Sequence, residues 1–226
     1  MTKSSGGKQR VRTAKGRKVG STKWLERQLN DPYVKRAKAE GYRSRAAYKI
    51  LELDEKFGLF KGAKAIVDLG IAPGGWSQVA RKLSPSATVV GIDLLPTDPI
   101  DGVEILEMDF MDEAAPETLR EAMGDVPADL VMSDMAANTV GHPPTDHLRT
   151  MALVEAGMVF ASEVLKPGGT YVAKVLAGGA DSNLVSQLKA LFQTVKHAKP
   201  PASRKGSSEW YVIAQGFKGK RYDELF

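Results

Sequence analysis

The chain has 226 residues, 42% of them hydrophobic and 26% charged, with no cysteine and a formal net charge of +5. That length suits one large α/β domain with an appendage. The composition excludes disulfides, cysteine-based zinc sites and thiol nucleophiles. No apolar run reaches the length of a bilayer span, and no apolar segment follows the basic N-terminus, so a soluble, cytoplasmic chain without membrane attachment or secretory signal is expected.

The charge is unevenly spread. Residues 1–62 hold 17 Lys/Arg and 6 Asp/Glu, a balance of +11, which leaves −6 for the remainder. The first 23 residues carry eight basic groups and no acid, and read as a disordered arm suited to a polyanion. Because the arm runs into further basic helices, nucleic acid is a better partner than a small acidic metabolite. A basic helical extension, 24–62, comes next. Thr22 is placed to cap a short helix reaching Leu29. Asp31-Pro32 and Gly41 frame a helix over Pro32–Glu40, and Ser44 opens a stronger one from Arg45 to Phe57, closed by Gly58. Its stripe is Ala47, Ile50, Leu51 and Phe57, with Asp54 as the exception and Lys49 beside it.

From Lys64 the pattern alternates between strand and helix. Strands are predicted at 64–69, 87–93, 103–108, 128–133, 168–175, 194–199 and 209–216, and helices at 76–83, 115–123, 146–165 and 181–192. This order implies a seven-stranded, mostly parallel sheet with helices on both faces, a Rossmann-like α/β fold over 63–217. The link from Lys199 to Ser208 is too short for a crossover helix, so an antiparallel last strand follows. The end, 218–226, reads as a mobile tail.

The first strand ends in Val67-Asp68-Leu69-Gly70-Ile71-Ala72-Pro73-Gly74-Gly75-Trp76. In open α/β sheets ligands bind outside the carboxyl ends of the strands, and glycine there lets the backbone approach a ligand closely. Gly70 and Gly75 keep the spacing of a dinucleotide fingerprint, but Ala72 occupies its middle position and Pro73 follows. The turn therefore suits S-adenosylmethionine better than NAD. Asp93, 18 residues past Gly75, fits the ribose of either. Asp68, Asp93, Asp109 and Asp134 each follow or end one of the first four strands and should share one rim. Asp109 is placed for an adenine amino group, or simply to cap the next helix. Chemistry is expected at Asp134.

Two charges interrupt apolar strands, Lys174 in Val172-Ala173-Lys174-Val175 and Glu209 before Trp210-Tyr211-Val212. A buried charge has to be paired or functional. Lysines flanked by carboxylates would titrate as a coupled set, one route to an amine that takes a proton from a ribose hydroxyl. His142, His147 and His197 are scattered and give no metal site.

At these residues the chain resembles the FtsJ (RrmJ, RlmE) family of ribosomal RNA 2′-O-methyltransferases over most of 20–217. The resemblance is carried by Ser44-Arg45-Ala46-Ala47-Tyr48-Lys49, Asp68-Leu69-Gly70 through Trp76-Ser77-Gln78, Ser133-Asp134-Met135-Ala136, Val172-Ala173-Lys174 and Ser207-Ser208-Glu209-Trp210-Tyr211. It implies a catalytic tetrad of Lys49, Asp134, Lys174 and Glu209. S-adenosylmethionine is expected to be held by Gly70, Pro73, Gly74, Gly75, Trp76, Asp93, Asp109 and Asp134. The implied substrate is a uridine of large-subunit ribosomal RNA; the assembled subunit is expected as its setting, and a monomer that needs no metal, the sulfonium being already activated, as the enzyme. Ile71 stands where the family commonly has alanine, and the basic arm is longer than the family core requires. A non-catalytic RNA-binding assembly factor on the same fold is the alternative reading.

Overall fold

The computed structural model describes residues 19–137, 141–176 and 182–226. Its centre is β1 (Ala65–Leu69), buried at every position. A strand buried on both faces needs apolar side chains throughout, which is why Ala65-Ile66-Val67 shows no alternation. Parallel neighbours flank it, β2 (Thr88–Asp93) on one side and β4 (Ala128–Ser133) on the other. The sheet continues with β3 (Val103–Glu107), β5 (Leu165–Leu176), β6 (Phe192–Ala198) and β7 (Glu209–Phe217), in the order β3-β2-β1-β4-β5-β7-β6. β7 lies antiparallel to both β5 and β6, so it alone is reversed. The reversal brings the start of β7 to the rim where β1, β4 and β5 end.

The strands feed two cores by alternation. Val67 and Leu69 of β1, Val131 of β4 and Ala173 of β5 pack with α5 (Ala115–Ala122), α6 (Pro143–Val164) and α7 (Ser182–Leu191). Ile66, Leu130, Met132, Val172 and Tyr211 face the other way, against α3 (Ala47–Phe57) and α4 (Gly75–Leu83). Residues of the basic extension, including Ala37, Tyr42, Tyr48 and Leu53, belong to this second core, so the extension is built into the body of the protein.

The seven strands and their helices lie where the pattern puts them, within a few residues, and several boundaries need correction. α1 runs Val19–Asn30, so Thr22 sits inside it rather than capping it. α2 is Pro32–Glu40 as expected, with Asp31 accepting from the Tyr33 N–H at 3.0 Å and Gly41 closing it at φ 78°. α3 starts at Ala47, two residues late, because 44–46 form turns bonded three residues apart. Its buried face is Ala47, Tyr48, Ile50 and Leu53, and the exceptional Asp54 accepts the Phe60 N–H at 2.9 Å. The C-terminal residues read as mobile are docked: the Tyr222 N–H donates to Ser162 Oγ at 3.0 Å, and Tyr222 and Leu225 pack on the first core. Of the arm expected over 1–23, residues 1–18 lie outside the described residues, as does Asp181 of the last predicted helix.

Candidate active site

Two adjoining features occupy the rim at the carboxyl ends of β1 and β4, the point where the strand order reverses and where ligands of open α/β sheets bind. The first is a cavity of about 250 Å³ lined by Gly70, Ala72, Asp93, Asp109, Phe110 and Asp134 among others. Gly70 has φ 81°, and a Cβ there would stand 2.8 Å from Met135 Cγ, so the turn needs glycine both for its backbone and for its closeness to the β4 loop. Asp93 accepts the Ala72 N–H through one oxygen and the Leu95 N–H through the other, both at 2.9 Å. Asp109 does not cap the next helix, α5, whose N-cap is Ala114; it accepts the Met111 N–H at 2.9 Å in a local turn and lines the cavity. Each carboxylate oxygen keeps a lone pair for a ligand.

The rest of the glycine turn is used differently. Pro73, Gly74, Gly75 and Trp76 are not among the cavity's lining residues. A Cβ on Gly75 would stand 2.7 Å from Ser44 Oγ, and one on Gly74 would meet Ile100 and Arg43, so these glycines admit the N-terminal helices and their neighbours. Trp76 is buried; its indole N–H donates to the Ala46 carbonyl at 2.9 Å and its ring leans on Tyr211 at 5.7 Å. Ile71 is accommodated by Gly91 on β2, where a Cβ would be 2.3 Å from Ile71 Cδ1. A glycine inside a strand often marks such a close approach, and here that signal was present in the sequence.

The second feature is a chain of four charges on the α3/α4 face, and the structure brings all four together. β4 and β5 are paired with Ser133 opposite Ala173, which sets Asp134 beside Lys174. Lys174 Nζ donates to the Asp134 main-chain carbonyl at 2.5 Å and lies 3.2 Å from its Oδ1. Lys49, delivered by α3, lies 3.6 Å from Asp134 Oδ2 and 2.8 Å from Glu209 Oε2. All four side chains are less than a fifth exposed. Two neutral groups complete the set. The Tyr211 hydroxyl donates to Asp134 Oδ1 at 2.7 Å, and the Ser203 hydroxyl donates to Glu209 Oε1 at 2.7 Å. Sequence reasoning missed both. Tyr211 was findable, since it lies two residues past Glu209 on the same strand face; Ser203, in the loop between β6 and β7, carries no pattern.

Burial alone would raise the Asp134 carboxyl, but Lys174, Lys49 and the Tyr211 hydroxyl outweigh it and hold it below the ordinary carboxylate range. The Tyr211 phenol is pushed well above its usual value by burial and by the Asp134 and Glu209 charges, so it stays a donor. Asp68, inside β1, behaves oppositely. Its Oδ2 accepts from Ser77 Oγ at 2.6 Å, its Oδ1 has no hydrogen-bond partner among the described residues, and burial pushes it up to about 7, with Asp134 and Asp93 adding to the rise. It ties β1 to α4 rather than facing the cavity.

Residues 42–217 match the model of the FtsJ-like methyltransferase family. The chain is 73% identical to the ribosomal RNA large subunit methyltransferase E of Rhizorhabdus wittichii, over 96% of this chain and 94% of that one. It is 70% identical to the protein of the same name from Novosphingobium aromaticivorans, over 94% and 95%. Among solved structures it resembles a ribosomal RNA methyltransferase from Plasmodium falciparum, with 34% identity, a TM-score of 0.69, and coverage of 79% of this chain and all of that one.

Proposed function

The chain belongs to the FtsJ-like methyltransferase family, and we propose that it transfers a methyl group from S-adenosylmethionine to the ribose 2′-hydroxyl of a uridine in large-subunit ribosomal RNA, acting as a monomer on the assembled subunit. The observation that carries this reading is Asp134, which lines the cavity and at the same time anchors Lys174 and Lys49. The cavity fits an adenosine: Ile92, Phe110 and Leu153 offer apolar wall to a purine, and Asp93 and Asp109 offer carboxylates to hydroxyl and amino donors. When bound, the cofactor supplies a methyl carbon already activated by its sulfonium.

The protein's own part is placement and proton management. Lys174 Nζ, held by two oxygens of Asp134, orients or deprotonates the 2′-hydroxyl for in-line attack on the methyl carbon. Lys49 and Glu209 balance the charge around Asp134, and Tyr211 keeps the carboxylate aimed. The RNA approaches over basic surface. Lys23, Arg27, Arg45, Arg204 and Lys205 line a basin of about 890 Å³ whose edge includes Ser203, the partner of Glu209. Phosphate contacts release counterions, so deleting residues 1–20 should weaken RNA association and flatten its salt dependence.

The deciding experiment is incubation with methyl-labelled S-adenosylmethionine and undermodified large subunits, followed by mapping. Label on one uridine ribose is expected. Label on a base would overturn the 2′-hydroxyl assignment. RNA binding with no label would favour an assembly factor, and label confined to naked RNA would overturn the subunit as substrate.

A further inference from the structure

Arg43 lies just before α3, and among the described residues its guanidinium is bonded to main-chain carbonyls rather than to a tetrad member. Nη1 donates to the carbonyls of Pro73 at 3.2 Å and Asp98 at 2.6 Å, and Nη2 donates to that of Pro99 at 2.6 Å. Its own N–H donates to Gln78 Oε1 at 2.8 Å, and Gln78 Nε2 donates to the Gly41 carbonyl at 3.1 Å, so residues 41–43 are rooted on α4. The two segments that Arg43 joins continue the two walls of the cavity. Pro73 follows Gly70 and Ala72 on one wall, and 98–99 follow Asp93, Leu94 and Leu95 on the other. The walls touch at the front through the Asp93 carboxylate and the Ala72 N–H. Arg43 ties the continuations of the two walls together through the Pro73, Asp98 and Pro99 carbonyls.

The second wall needs such a tie. Residues 94–100 form neither helix nor strand, and Leu94 and Leu95 are more than half exposed. Gly74, at φ 110°, lets the strap lie close: a Cβ there would stand 2.5 Å from Ile100 Cδ1 and 3.2 Å from Arg43 Nη1. A guanidinium reaches three carbonyls because its donors are spread over a rigid fork. A lysine, with its donors on one nitrogen, cannot span the same acceptors. Three of the five guanidinium N–H donors are committed to these carbonyls.

We infer that Arg43 is a positioning residue for the cofactor, setting the width of the adenosine cavity by strapping the glycine turn to the β2–β3 connection. The inference rests on the cavity being the S-adenosylmethionine site.

The test measures S-adenosylhomocysteine binding to the full chain by calorimetry, in the unsubstituted protein and in Arg43→Lys, with steady-state kinetics on large subunits. The substitution should weaken binding about tenfold, the scale of one or two lost hydrogen bonds, and raise KM for S-adenosylmethionine to match. At saturating cofactor kcat should stay within about twofold, and KM for RNA and its salt slope should not move. A general loss of structure would lower kcat and raise both KM values together. If Arg43→Lys melts before the assay temperature, Gln78→Ala, which loosens the same strap at its root, must show the same cofactor-specific loss. Undiminished binding by a folded Arg43→Lys protein overturns the inference, as does a rise confined to KM for RNA. Failure of the unsubstituted protein to bind sinks the cofactor site and the inference with it.

Discussion

Asp68, buried inside β1, and Asp134, half-buried just past the end of the neighbouring β4, are close in register, and their chemistry is opposite. Asp68 faces a serine hydroxyl through one oxygen and, among the described residues, has no hydrogen-bond partner at the other, and burial pushes its carboxyl up to about 7. Asp134 faces two lysines and a phenol, and its carboxyl stays below the ordinary range although burial pushes it the other way. Burial therefore does not decide which acid is charged; the partners delivered by other elements do. An acid beside the glycine turn can serve as a neutral structural tie between β1 and α4. The one beside Lys174 has to be an anion, because it holds two cations at the place where a ribose would meet the methyl donor.

Removing the working cation is the strongest way to break the contrast. Lys174→Ala should lower turnover by roughly 10²–10⁴ while cofactor affinity survives, since a positioned acid–base group has that scale. Single-turnover methylation and calorimetry together check it, and near-normal turnover would reject Lys174 as the reacting lysine. Next comes the anion itself. Asp134→Ala strips Lys174 of its carboxylate and leaves Lys49 with Glu209 alone, and should cost about 3–5 kcal/mol of stability in urea unfolding. A loss under about 1 kcal/mol would mean that solvent screens the pair.

Smaller changes sharpen the comparison. Tyr211→Phe removes the hydroxyl from Asp134 and should cost about 1.5–3 kcal/mol, the range for a hydrogen bond to a charged group, with turnover reduced less than by Lys174→Ala. Asp68→Asn should go the other way. Because the folded protein keeps a proton on Asp68 that the unfolded chain has lost, this residue's contribution to stability is complete below about pH 4 and drains away as pH rises toward about 7. The asparagine variant has no such proton to lose, so its melting temperature relative to the parent should climb through that window, gaining on the order of 1 kcal/mol at pH 8. Asp134 contributes with the opposite sign: its stabilisation is present at neutral pH and is lost on acidification below the ordinary carboxylate range. A constant difference between Asp68→Asn and parent across pH 4–8 would show that Asp68 is ionised throughout.

Sequence alone determined the order and kind of the elements from β1 to β7, because apolar period, strand length and glycine turns are local signals read within one segment. It also put acids at the ends of the parallel strands, and marked Lys174 and Glu209 as charges in apolar company. Only the tertiary structure decided what those residues face. Lys49 and Glu209 are 160 positions apart and meet at 2.8 Å because β7 is reversed and α3 packs on α4. Within the glycine turn, Gly70 opens toward the cavity while Gly74, Gly75 and Trp76 serve the packing of the N-terminal helices. The physical reason is range: helix and strand follow from neighbours along the chain, whereas the charge on a buried acid follows from groups within a few ångströms in space, and those the chain assembles only by folding.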